Sequence, residues 1–393
     1  MAGRTPNSIY DYVKRQFVPS PRVREELGIG GIMKATRILH EAGQSLWLDN
    51  ITRGLLTGGG LKRYIDELSI TGLTSNPSIF DLAIRNSGDY DAAIREKTAA
   101  GKQGEALFFE LAFEDLTRAA DLLRPVHDRT NGVDGWVSLE ISPKLAYDTA
   151  ASIAAAKQLS ARGARPNLFM KIPGTREGLP AIEEAIFAGV PINVTLLFSR
   201  EQYVAAAEAY IRGIERRVAA GLNPQVGSVA SVFVSRWDVA AAKKVPPALH
   251  DRLGIAMAKR IYRAYCEVLS ADRWRRLLNF GARSQRLLWA STGTKDPKAS
   301  DVLYVKSLAA PHTVNTMPEN TLKALADHGE VGAMLSREGG DAEAELAEFT
   351  KAGVDIDALA EQLQREGAAA FVKSWDDLLV CIADKSAALK KAG

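Results

Sequence analysis

Cysteine is scarce in this chain, with two in 393 residues. Cys266 and Cys381 stand far apart without CxxC spacing, which excludes a disulfide framework and fits a reducing compartment. Histidine is nearly as sparse. His40, His127, His250, His312 and His328 show no HxH or HExxH spacing, so neither a metal nor another cofactor is expected. No apolar run is long enough to cross a bilayer, and the opening MAGRTPNSIYDYVKRQF lacks the apolar stretch of a secretory leader. The expectation is a cytoplasmic protein with no membrane partner. A large excess of one charge is also missing, since 50 basic residues against 47 acidic leave +3. Without a basic stripe, no nucleic-acid partner is expected, whereas a small anionic substrate needs only a few local cations.

What is present is a rhythm. From residue 45, short β-prone runs alternate with long Ala-, Glu- and Lys-rich stretches. The runs are SLWLD (45–49), LSITGLTSN (68–76), GWVSLE (135–140), NLFMK (167–171), VPINVT (190–195), VGSVASVFVSR (226–236), LLWAST (287–292) and PHTVNT (311–316). Between them, 105–124, 144–162 and 201–219 carry apolar residues at helical spacing, and the gap 77–134 has room for two helices. Eight strands alternating with helices predict an α/β fold, a closed (β/α)8 TIM barrel with additional N- and C-terminal helices; a doubly wound open sheet is the alternative. No repeat or Pro/Ser-rich linker divides the chain, so one domain is expected. It comprises a helical extension over 1–44, the barrel over 45–365 and a closing helix over 366–393, packed through Phe371, Trp375 and Leu378.

In a parallel barrel, reactive side chains gather at the C-terminal ends of the strands. Here those ends carry Asp49, Asn76, Glu140 and Lys171, then Asn193 with Thr195, then Ser231 with Arg236. Singly, each has an ordinary explanation, such as a helix cap at Asp49 or a turn at Thr74-Ser75-Asn76-Pro77. Lys171 is the most informative. A lysine closing a buried run is poorly solvated, so its pKa is expected to fall below about 10.4, which frees the amine to attack a carbonyl. Together the set offers a nucleophilic amine, two carboxylates for proton transfer, amides for hydroxyl groups and a cation for phosphate. That suits carbon–carbon cleavage through an imine.

GLTSNPSIF (72–80) and NLFMKIPGTREGLPAIEEAIFAGVPINVTLLFS (167–199) resemble the two signatures of transaldolases, and SLWLDNITRGLL, SLEISPKLAYDT and ASVFVSRWD fit their other active-site strands in order. The resemblance runs from about residue 45 to the C-terminus and is closest to the longer bacterial branch. It implies sugar phosphates as substrates. Lys171 would form a Schiff base with the C2 carbonyl of a ketose phosphate, and Asp49 would take the C4 hydroxyl proton. Glu140 would move protons through a water held with Thr195. Asn76 and Asn193 would bind the dihydroxyacetone hydroxyls, and Ser231, Arg236 and Lys295 the phosphate. Two positions depart from the pattern. Val232 stands where many members have proline, and Lys295 follows the seventh run where arginine is common. Monomer and homodimer both fit.

Other features have plainer readings. Gly28-Ile29-Gly30-Gly31 follows no strand and reads as a turn, and Thr57-Gly58-Gly59-Gly60-Leu61-Lys62 lacks the Walker pattern and reads as a flexible loop after the first strand. Asp272-Arg273-Trp274-Arg275-Arg276 reads as a solvated helix end, His312 as structural, and Trp237 and Trp289 as core. Two rivals remain: an imine-forming aldolase that releases dihydroxyacetone to water, and a barrel turned scaffold. The second has no use for a desolvated lysine beside carboxylates.

Overall fold

The computed structural model describes residues 33–391. Among these, eight strands close into one barrel in chain order, every neighbour parallel. They are β1 (Ser45–Asp49), β2 (Ile70–Thr74), β3 (Trp136–Glu140), β4 (Leu168–Pro173), β5 (Ile192–Leu197), β6 (Ser228–Phe233), β7 (Gln285–Ala290) and β8 (Val314–Met317). The open-sheet alternative is thereby excluded.

The barrel is a packed core, and its period of two explains what stands above it. Trp47, Trp136, Phe169, Val229, Leu288 and Val314 share one buried cluster. Trp136 stacks on Phe169 at 4.0 Å between ring centroids. Gly72 on β2 makes room for this plug, because a Cβ there would lie 2.4 Å from the Trp47 ring. Side chains two residues further along a strand point to the same face. Two steps on from the plug stand Asp49, Ser138, Lys171, Ser231, Ala290 and Thr316, and Glu140 lies one further step up β3. The strand pattern that buries the aromatic plug therefore also raises the polar residues toward the C-terminal mouth.

Helices surround the strands. Gly104–Arg129, Thr149–Gly163 and Arg200–Ala219 match the expected amphipathic stretches, and Ser199 starts the last with a capping box completed by Gln202. Several boundaries differ from expectation. The gap 77–134 holds three helices, Pro77–Asn86, Asp91–Ala99 and Gly104–Arg129. The glycine-rich stretch 57–62 is no open loop: Thr52 caps Arg53–Thr57, and Gly59, at φ +75°, turns the chain into Gly60–Leu68. The closing helix starts at Ile356 rather than at 366 and runs to Lys391. Of the N-terminal extension, Ala35–Glu41 is helical; the turn expected at 28–31 lies outside the described residues.

Trp237 and Trp289 are fully buried, as core residues should be. The 272–276 cluster opens a helix, Asp272–Asn279, with Trp274 buried and Arg273 paired to Glu208 and Glu215. His312 sits in a left-handed turn before β8, its ring nitrogen 2.7 Å from Ser284 Oγ. No described helix is long and apolar enough to cross a membrane.

Candidate active site

Asp49, Asn76, Lys171, Thr195, Ser231, Arg236 and Lys295 line one pocket of about 200 Å³ at the C-terminal mouth. Glu140 and Asn193, both buried, are not among its walls but adjoin Lys171 in the ladder. Glu140 pairs with Lys171 across β3–β4, and Lys171 with Asn193 across β4–β5. The structure thus brings together all nine residues singled out in the sequence.

Lys171 is 6% exposed. Its amine is nonetheless engaged, donating to Ser75 O at 3.1 Å and facing Glu140 Oε2 at 3.7 Å. The second distance is an ion pair too long for a direct hydrogen bond. Burial pushes the Glu140 carboxyl up to about 7, against the pull of Lys171 and with a further push from Asp49. Among the described residues, neither Glu140 oxygen nor the Thr195 hydroxyl has a hydrogen-bond partner, although all are buried. Such groups want a partner, which a water can supply.

Asp49 ends β1, in register with Thr74 on β2. Burial raises its carboxyl, while Lys171, the Thr74 hydroxyl and Lys295 pull it down. Asn76 caps the helix Pro77–Asn86, its Oδ1 accepting from Ile79 N and Ser78 Oγ. Its NH₂ remains available to donate to a ligand. Asn193 is tied on both sides, accepting from Ser231 Oγ at 2.7 Å and donating to Ser138 Oγ at 3.1 Å. Arg236 does not end β6 but opens the helix Ser235–Ala241 behind it. It is half-buried and lies over Phe233 and Phe371, at 4.8 and 5.8 Å from the ring centroids. Lys295 is exposed, in the loop after β7.

Among the wall residues absent from the sequence-based set are Thr74, Thr316, Phe371 and Ser374. The two threonines follow the inward period of two. Phe371 lies 5.9 Å from Lys171 Nζ, measured to its ring centroid, so the closing helix forms a wall of the pocket.

The sequence matches the transaldolase/fructose-6-phosphate aldolase family over residues 46–382. The chain belongs to this family. Transaldolase 1 of Streptomyces avermitilis is 44% identical over 354 residues, covering 88% of this chain and 94% of its own. A transaldolase of Thermobifida fusca is 44% identical over 359 residues, covering 89% and 98%. Transaldolase 2 of Nostoc punctiforme is 40% identical over 368 residues, covering 88% and 96%. The transaldolase barrel accounts for the shared layout, and within that family the chain is an enzyme, a transferase.

Proposed function

We propose that this transaldolase moves a dihydroxyacetone unit from a ketose phosphate to an aldose phosphate through an imine on Lys171, as a step of the pentose phosphate pathway. Donors are fructose 6-phosphate and sedoheptulose 7-phosphate; acceptors are erythrose 4-phosphate and glyceraldehyde 3-phosphate. The observation that carries the reading is a buried primary amine lining the pocket, with one carboxyl at 3.7 Å and a second on the pocket wall.

The amine adds to C2 of the ketose, and the carbinolamine then loses its hydroxyl as water. That step needs an acid, and Glu140, held near 7, can supply the proton through a water shared with Thr195. Asp49 accepts the C4 hydroxyl proton. The C3–C4 bond breaks, its electron pair passes into the protonated imine to give an enamine, and the first aldose phosphate leaves. A second aldose then adds by the reverse steps, and water releases the new ketose. The Asn76 and Asn193 amides suit the hydroxyl groups of the three-carbon unit. Ser231, Arg236 and Lys295 suit the phosphate. Localisation in the cytoplasm follows the same reading.

Borohydride with fructose 6-phosphate should fix a three-carbon adduct to Lys171. Lys171→Arg should abolish turnover while keeping the fold, since arginine stays protonated. Peptide mapping that finds the adduct on another lysine rejects the mechanism. Cleavage of fructose 6-phosphate without any acceptor would instead indicate an aldolase that releases dihydroxyacetone to water.

A further inference from the structure

Gln364, in the helix Ile356–Lys391, donates through Nε2 to two backbone carbonyls, Gly174 O at 3.1 Å and Leu196 O at 3.0 Å. Both lie just beyond the last registered pair of the β4–β5 ladder, Pro173 with Thr195. On the other side of β5 the ladder is irregular. It skips from Val194–Ala230 to Leu197–Val232, so β5 spends one residue more than β6. That is a bulge containing Thr195 and Leu196, and bulges re-aim side chains beside active sites. Leu196 is fully buried with φ +60°, a left-handed backbone that a leucine keeps only where its surroundings fix it. One turn along the same helix, Gly367 seats the helix tightly. A Cβ there would stand 2.9 Å from Leu196 Cδ2 and 3.1 Å from Arg236 Nη1.

We propose that Gln364 is a positioning residue for the imine chemistry. Its two donated hydrogen bonds hold the Thr195–Leu196 bulge, and the bulge holds the unpartnered Thr195 hydroxyl in the pocket wall. The inference rests on the imine reading above. It requires a donor at 364, because two acceptors face that side chain; size alone does not suffice. Gln364 touches no reacting atom, so its effect passes through Thr195.

The test compares Gln364→Leu, Gln364→Glu and Gln364→Lys with Thr195→Ala and with the Gln364→Leu/Thr195→Ala double variant. The readouts are the rate of borohydride trapping by fructose 6-phosphate and the kcat and KM of the full reaction. Misplacing a reacting group by about 1 Å costs on the order of a hundredfold. Gln364→Leu and Gln364→Glu should therefore trap about 10- to 100-fold more slowly, with kcat falling and KM nearly unchanged. Gln364→Lys, which still donates, should stay within a few-fold of wild type. In the Thr195→Ala background, Gln364→Leu should add almost nothing, since both act on one path. Independent losses in the double variant, or equal losses for Gln364→Leu and Gln364→Lys, would overturn the proposal. So would a Gln364→Leu enzyme that traps at the wild-type rate. A wild-type enzyme that traps nothing would overturn the imine reading and this inference together. Should Gln364→Leu fail to fold, the near-isosteric Gln364→Glu against Gln364→Lys separates donor from acceptor in the same way.

Discussion

The Thr74 hydroxyl donates its one proton to Asp49 Oδ1 at 2.7 Å. The same hydroxyl lies 2.7 Å from Thr316 Oγ1, so Thr316 is the donor there. A directed chain from β8 through β2 to β1 thus ends on the carboxylate assigned to take the C4 proton. A hydrogen bond to the charged form favours that form, which opposes the rise that burial causes at Asp49.

Thr74→Val keeps the shape and removes the donor. Asp49 should then titrate at higher pH, so on the acid limb of the profile a smaller fraction is ionised and ready to act as base. Bonds to charged groups are worth about 1.5–3 kcal/mol, so kcat on that acid limb should fall roughly tenfold or more. The sign predicts recovery as pH rises, and the acid limb of the kcat profile should move upward. A uniform loss at every pH would assign Thr74 a packing role.

Glu140 offers a prediction in both activity and stability. Its carboxyl sits at about 7 in the fold against an ordinary value of 4.5. Between those values the folded state holds more protons than the unfolded one, so stability falls as pH rises through the window. The ionised form costs up to about 3 kcal/mol by this linkage. Glu140→Gln should flatten that slope, read by urea unfolding at pH 5 and pH 8. It should also lose about 10²–10⁴ in kcat and the bend near pH 7. A variant that keeps the bend would move the acid–base role to another group.

For the phosphate, Arg236→Ala should lower kcat/KM for fructose 6-phosphate by about ten- to a hundredfold. Free dihydroxyacetone donors, which carry no phosphate, should change far less. Lys295→Ala should give a smaller loss, because its ammonium is exposed and screened. Equal losses on phosphorylated and unphosphorylated donors would mean that Arg236 supports the Phe233–Phe371 wall.

Away from the site, Arg53 pairs with Asp115 at 3.0 Å, and the Asp115 side chain is fully buried. Arg53→Met leaves that carboxylate without its partner, and breaking one side of such a pair costs about 3–5 kcal/mol. Burial already raises Asp115 against the pull of Arg53. In the variant it should rise further, so much of the lost stability should return at low pH, where Asp115 can be neutral. Denaturation midpoints at pH 5 and pH 8 measure this directly.

The inward face is legible because a strand alternates. Lys171, Asp49 and Ser231 each stand two residues beyond a plug residue, and a local run of sequence suffices to place them. Thr74 and Thr316 obey the same period yet do not stand out, since a threonine after an apolar run suggests no chemistry by itself. Gln364 leaves no local signal, and Phe371 reads only as a packing residue of the closing helix, not as a wall of the pocket. Gln364 meets Gly174 across 190 positions of chain, a separation that amphipathic spacing within one helix does not encode. The glycines near 58–60 mislead for a related reason. Glycine marks a change of backbone direction, and here the change joins two helices rather than opening a loop.

The helix Ile356–Lys391 follows every strand of the barrel in chain order, yet it supplies Phe371 and Ser374 to the pocket. The β8–β1 pairing ends at Met317, so the helix adds no strand to the ring and reaches the pocket from outside it. Trp375, Leu378 and Ile382 of the same helix belong to the main buried cluster, so one element both completes the core and walls the pocket. A disturbance anywhere along this rod, even far from the mouth, therefore reaches the wall above the amine, so that packing and reactivity share one element.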